Sequence, residues 1–102
     1  SGRCLQLDKE GHNLLYQGNS CINASRGIFQ NWRDNFSLSV DRNVFENISG
    51  PAIEYESGNV CGDSTLTSNT FTSVQSVICN NTVATTTAAV NALPGASGNT
   101  VN

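Results

Sequence analysis

Apolar and polar residues alternate in short runs along this chain, and the alternation recurs in three aligned segments. They are Tyr16–Phe29 (YQGNSCINASRGIF), Val40–Tyr55 (VDRNVFENISGPAIEY) and Leu66–Cys79 (LTSNTFTSVQSVIC). Each opens on an apolar residue (Tyr16, Val40, Leu66) and places an asparagine three positions later (Asn19, Asn43, Asn69). A core-type residue follows two further on (Cys21, Phe45, Phe71), then a small polar residue (Asn23, Asn47, Ser73) and an aliphatic one (Ala24, Ile48, Val74). Each closes on isoleucine (Ile28, Ile53, Ile78), and the asparagines are offset by 24 and 26 residues. A repeat of this length predicts one structural unit stacked on itself, because a single copy cannot bury its apolar face alone.

The local pattern is that of strands. Period-two alternation and β-type residues predict Cys4–Leu7, Asn13–Tyr16, Gly27–Gln30, Phe36–Val40, Ala52–Tyr55, Thr65–Thr67 and Ser76–Cys79. Turn signals fall at Lys9–Asn13, Gln17–Asn19, Ser49–Pro51 and Ser57–Asn59. No stretch has helical periodicity. The Thr- and Ala-rich segment Thr82–Leu93 is expected to stay non-helical.

Stacked repeats of short strands predict an all-β domain: a short parallel β-helix of about three to four coils within a single domain, residues 1–102. The coils are expected at about 13–39, 40–65 and 66–90, with a less regular C-terminal part over 82–102. Phe45 and Phe71, with Cys21 before them, form one inner column, and Ile28, Ile53 and Ile78 a second. Asn19, Asn43 and Asn69 fall on equivalent turns, where stacked carboxamides hydrogen-bond from coil to coil. Asn99, in Gly98-Asn99-Thr100-Val101, begins a further coil that the sequence does not finish. Such an end needs a cap or a partner, and end-to-end stacking into a filament is the expected self-association.

NVFENISGPAIEY and SNTFTSVQSVI resemble coils of the right-handed parallel β-helix repeat of pectin-lyase-like proteins, over about residues 13–80. The resemblance implies the right-handed fold. It does not carry over an active site, because the paired aspartates, Gly-His-Gly and Arg-x-Lys of the family's enzymes are not in this sequence. Val44–Gly50 with Ile53-Glu54-Tyr55 is also similar to a segment of the cyanovirin-type lectins. That similarity implies an alternative, a cyanovirin-like antiparallel β fold with Cys4/Cys21 and Cys61/Cys79 as its two disulfides.

The four cysteines, Cys4, Cys21, Cys61 and Cys79, admit three pairings. The nearly equal spacings of 17 and 18 favour Cys4–Cys21 with Cys61–Cys79. A single histidine, His12, and no C-x-x-C leave no zinc motif, so no metal or cofactor is expected. Charged residues make up 13 % of the chain, about half the usual share, while Asn, Ser, Thr and Gly supply 44 of 102 residues. With net charge −3 and five scattered basic residues, no phosphate-binding stripe exists, and nucleic acid is excluded as a partner. Apolar runs are too short to predict a membrane-spanning helix.

Four N-x-S/T sequons mark candidate glycosylation sites: Asn23, Asn35, Asn47 and Asn80. Asn23 and Asn47 occupy the same repeat position. Together with the cysteines they predict an extracellular or cell-surface protein. Trp32 and Tyr55 are candidate carbohydrate contacts. The carboxylates Asp41, Glu54, Glu56 and Asp63 form no recognisable catalytic set. The leading expectation is a secreted, N-glycosylated structural or surface protein. The alternatives are a carbohydrate-binding lectin-like module and a polysaccharide-active β-helix enzyme or fragment.

Overall fold

The computed structural model describes residues 2–7, 11–30, 36–55 and 63–102, with the side chains of residues 11, 12 and 36 excepted. Among the described residues the fold is all-β apart from the short helix below and a helical residue at Asp63. Its strands are β1 (Arg3–Leu7), β2 (Gly11–Gln17), β3 (Ser20–Ala24), β4 (Arg26–Gln30), β5 (Phe36–Asp41), β6 (Val44–Tyr55), β7 (Thr65–Thr67), β8 (Thr70–Cys79), β9 (Thr82–Ala84), β10 (Ala96–Ser97) and β11 (Thr100–Val101). The helix, α1, is Thr87–Asn91.

One sheet runs β1-β4-β6-β8-β11, with β3 also beside β6 and β9 beside β8; the other runs β10-β7-β5-β2. Among the described residues every strand pairing is parallel except β8–β9. A parallel pair cannot be closed by a tight hairpin, so each neighbour must be reached by a long crossover. Here the crossover is the rest of one repeat, including its strand in the other sheet. Equivalent repeat residues therefore pair directly: Cys21 with Phe45, Phe45 with Phe71, and Phe71 with Val101. The cyanovirin-like alternative is corrected on this point, since its antiparallel pairing is confined to the β8–β9 hairpin around Asn80 and Asn81.

The backbone turns at corners with positive φ, one set between the two sheets and one set inside β3, β6 and β8. Gly18, Arg42, Ser68 and Gly98 form one column of such corners, each just before a repeat asparagine, and Asn23, Asn47 and Ser73 form a second, with φ between 54° and 69° throughout. Asparagine and glycine accept this conformation readily; arginine and serine do so at a cost. Bonds to neighbouring repeats hold corners of the first column, as when Gly18 N–H donates to Asp41 O, Arg42 N–H to Thr67 O and Ser68 N–H to Ser97 O.

Between the sheets the core is a set of stacked columns. Phe45 and Phe71 stack face to face at 5.1 Å, and Tyr16 tilts against Phe45 at 6.3 Å. Cys21 completes this column and is bonded to Cys4, which ties β1 across the end of the core. Closing a loop of 17 residues in this way contributes about 3 kcal/mol in the chain-entropy model. Cys79 is also disulfide-bonded; Cys61 lies outside the described residues.

Three sequence expectations are revised. The second inner column is Ile28, Ile53 and Val77, not Ile78, which pairs with Glu54 and is only half-buried. The register slips on either side of Pro51, which lacks an N–H for the ladder, and the offset between β6 and β8 falls from 26 at Phe45–Phe71 to 24 at Ile53–Val77. For the same reason Ser49-Gly50-Pro51 is an irregularity within β6 and not a turn. Finally, Thr82–Leu93 holds β9 and then α1. Thr86 caps the helix by accepting the Ala89 N–H at 3.1 Å, and Val90 is fully buried. Capping and burial outweigh the weak local propensity.

Two substitutions test the backbone argument. Ser68→Gly relieves a left-handed non-glycine corner on the surface and is expected to raise stability by about 0.5–1 kcal/mol, read as a shift in the denaturation midpoint. Gly27→Ala is expected to lower it by about 2 kcal/mol or more, because a Cβ there would sit 2.0 Å from the Ala52 carbonyl oxygen.

Candidate functional site

The repeat brings two asparagine columns into register, one buried and one exposed. The buried column starts at Asn19 and runs through Asn43, Asn69 and Asn99. Asn19 N–H donates to Asn43 Oδ1 at 2.8 Å, Asn43 N–H to Asn69 Oδ1 at 2.9 Å, and Asn69 N–H to Asn99 Oδ1 at 2.9 Å. The Nδ2 groups of Asn43 and Asn69 also donate forward to Asn69 and Asn99 Oδ1, at 3.0 Å each. Backwards they reach the carbonyls of Tyr16 and Val40, and Asn99 Nδ2 reaches that of Leu66. Asn43, Asn69 and Asn99 are buried, so the bonds among them and to Val40 and Leu66 are sheltered from water, while those to Asn19 and Tyr16 are partly so.

The exposed column is the corner Asn23, Asn47 and Ser73. Asn47 Nδ2 donates to Asn23 Oδ1 at 2.6 Å. Asn23, Ala24, Ser25, Asn47 and Ser49 line one open groove, so two sequons from successive repeats share a single surface. Ser25 Oγ donates to Gly2 O at 2.8 Å and accepts the Gly2 N–H at 3.1 Å, anchoring the N-terminal segment beside the first of them. The groove offers carboxamides and hydroxyls, with no ionisable side chain in its lining. Asn80 is exposed in the β8–β9 hairpin, and Asn35 lies outside the described residues.

A third row crosses the other sheet, where Gln17, Asp41 and Thr67 are in register. Thr67 Oγ1 donates to Asp41 Oδ1 at 2.7 Å, and Gln17 Nε2 and Arg42 Nε donate to Asp41 Oδ2 at 2.8 and 2.9 Å. The bonds from Thr67 and Gln17, with a smaller contribution from Arg42, hold the Asp41 carboxyl below its ordinary value.

The remaining candidates do not converge. Tyr55 is corrected from a carbohydrate contact to a core residue: it is buried, its hydroxyl has no hydrogen-bond partner among the described residues, and burial pushes its pKa up strongly. Trp32 and Glu56 lie outside the described residues, as does the His12 side chain. Glu54 faces Arg26 at 3.7 Å, and Asp63 is exposed. Among the described residues no group of three His, Cys, Asp or Glu side chains is placed to hold a metal ion, and no helix is long and apolar enough to cross a membrane.

The sequence pattern did not point to Asn91 or Thr87, yet both bond to the last repeat segment. Asn91 Oδ1 accepts from Asn99 N–H at 2.9 Å and from Asn99 Nδ2 at 2.8 Å. Thr87 Oγ1 accepts the Val101 N–H at 2.9 Å. No spacing signal could have found them, because α1 joins the column from outside the repeat. Compared with protein-family models, with curated proteins and with solved structures, the chain finds no match.

Asn69→Ala removes the acceptor for Asn43 and the donor to Val40 O. With these buried groups orphaned, stability is expected to fall by about 3 kcal/mol or more, measured by chemical denaturation; a loss below about 1 kcal/mol would show that the column is dispensable. For Asp41, the folded chain favours the carboxylate. Its contribution is therefore complete above the ordinary value of 3.8 and is lost as pH falls through the lower folded value. An NMR titration of the Asp41 carboxyl carbon should give a midpoint below 3.8; one at or above it contradicts the bonded row.

Proposed function

We propose that the chain is a right-handed parallel β-helix module, secreted or displayed at the cell surface, with a structural role and N-linked glycans on one corner. The observation that carries this reading is the stacking of the Asn23 and Asn47 sequons on one exposed groove. A glycan needs a solvent-facing asparagine, and the repeat supplies two in register on the same side. Support for the coil architecture comes from the parallel pairing of equivalent residues at offsets of 24 to 26. Support for an oxidising compartment comes from the Cys4–Cys21 disulfide and the bonded state of Cys79.

The surface chemistry suits this role better than catalysis. The described carboxylates Asp41 and Glu54 are engaged by Thr67, Gln17 and Arg42 and by Arg26, respectively, and they lie on different sheets. A carbohydrate-binding role loses Tyr55 to the core.

The test is secretion from a eukaryotic host followed by peptide mapping with and without glycosidase. Glycan is expected on Asn23, Asn47 or both, and Asn23→Gln with Asn47→Gln should remove it. Secreted protein with both asparagines unmodified would sink the proposal.

A further inference from the structure

The buried asparagine column has a direction, and its two ends differ. Along the column, each asparagine gives its backbone N–H, and from Asn43 onward its Nδ2 as well, to the Oδ1 of the next. Each also accepts, on its carbonyl, the N–H of the residue that follows the next asparagine: Val44 to Asn19 O, Thr70 to Asn43 O and Thr100 to Asn69 O, all at 2.9 Å. At Asn99 the place of the next asparagine is taken by α1. The Asn91 carboxamide takes both parts. Its Oδ1 accepts from Asn99 N–H and Nδ2, and its Nδ2 donates to Asn99 O at 3.0 Å. One side chain thus supplies the acceptor and the donor that a further repeat would bring.

Thr87 does the same for the strand beside it. Its hydroxyl accepts the Val101 N–H at 2.9 Å and donates to Val101 O at 3.2 Å. Between these two residues, Val90 is buried against the core. The outer edge of β11 and the end of the asparagine column are therefore satisfied by side chains of α1.

At the opposite end the Cys4–Cys21 disulfide reaches Cys21 and Gly2 bonds to Ser25, but no described side chain takes the part that Asn91 and Thr87 play. Among the described residues Asn19 Oδ1 accepts no hydrogen bond, β2 pairs only with β5 and β3 only with β6. By the pattern of Val44, Thr70 and Thr100, the N–H of Ser20 is the donor that would point to a preceding repeat. The Asn19 end thus presents one acceptor and one donor, and these are complementary to the groups that Asn91 covers on Asn99.

We infer that α1 is a built-in mimic of a further coil, and that it blocks head-to-tail pairing of this end with the Asn19 end of a second copy. In that contact β11 lies beside the second copy's β3. Asn99 donates to the second copy's Asn19 Oδ1 and accepts from its Ser20 N–H. The contact joins unlike surfaces and leaves the same two ends on the product, so it propagates as a filament. The inference deepens the proposed coil architecture and does not depend on glycans.

The experiment compares four forms of the unglycosylated, disulfide-intact chain by sedimentation velocity and negative-stain electron microscopy. They are the native sequence, Asn91→Ala with Thr87→Val, Thr87→Val alone, and the double variant with Ser20→Pro added. The native sequence is expected to sediment as a single chain and the double variant as rods of many chains. Ser20→Pro should return the double variant to single chains, because it removes the donor for Asn99 O on an edge strand that tolerates proline. Native protein that already forms head-to-tail rods overturns the inference. So does a folded double variant that stays single, or rods indifferent to Ser20→Pro. Should the double variant lose its β-sheet circular dichroism, Thr87→Val decides. It changes one exposed side chain and frees the Val101 N–H and C=O at the β11 edge while Asn91 still covers Asn99. Weak, concentration-dependent association is therefore expected, and its absence at every concentration overturns the inference. Missing glycans on Asn23 and Asn47 would count against the surface role alone and leave this result standing.

Discussion

Buried carboxamides are the constraint on which this chain depends. An unpaired amide away from water costs about 1–3 kcal/mol, so a buried asparagine is tolerable only where every donor and acceptor finds a partner. Asn43 and Asn69 meet that condition only with a repeat on either side, since each bonds backward to a carbonyl and forward to the next asparagine. The column therefore fixes the register of neighbouring repeats to the residue. A slip of one position would orphan the buried amides and turn Phe45 and Phe71 away from each other.

The corners make that register attainable. Residues with φ near +60° recur directly before each asparagine of the column and again four positions after Asn19, Asn43 and Asn69. Where the sequence supplies Gly18, Gly98, Asn23 and Asn47 the turn is locally favoured. Where it supplies Arg42 and Ser68 the turn is held by hydrogen bonds to Thr67 O and Ser97 O of adjacent repeats. The column and the corners are thus one device: the corner aims the asparagine inward, and the asparagine holds the corner.

With the interior fixed, the surface varies by face. Carboxamides and hydroxyls gather at the Asn23–Asn47 corner, and the Gln17–Asp41–Thr67 row crosses the other sheet. Arg3 and Arg26 lie over the Phe29 ring at 5.1 and 4.3 Å, screening an apolar side chain on the outer face. The two ends are unlike. One is held by the Cys4–Cys21 bond, and the other by side chains of α1 that satisfy the last edge.

The sequence by itself carried the all-β class, part of seven strands (though not β3 or the first halves of β6 and β8), the inner pair Phe45 and Phe71, and the residues of both asparagine columns. These were legible because they recur at nearly constant spacing, and recurrence survives any ignorance of local geometry. The register after Pro51 was not legible. Ile78 matches the isoleucine pattern, yet whether Val77 or Ile78 turns inward is settled by how β6 accommodates a residue without an N–H. Tyr55 looked available to a ligand because an aromatic residue in a strand shows no face until its neighbours are placed. Asn91 and Thr87 were invisible for a different reason. They belong to no repeat and owe their role to a five-residue helix that exists only because Val90 is buried and Thr86 caps it. Periodicity decided what stacks on what. The packing of non-periodic residues against the last repeat, a contact without any spacing in sequence, decided how the stack ends.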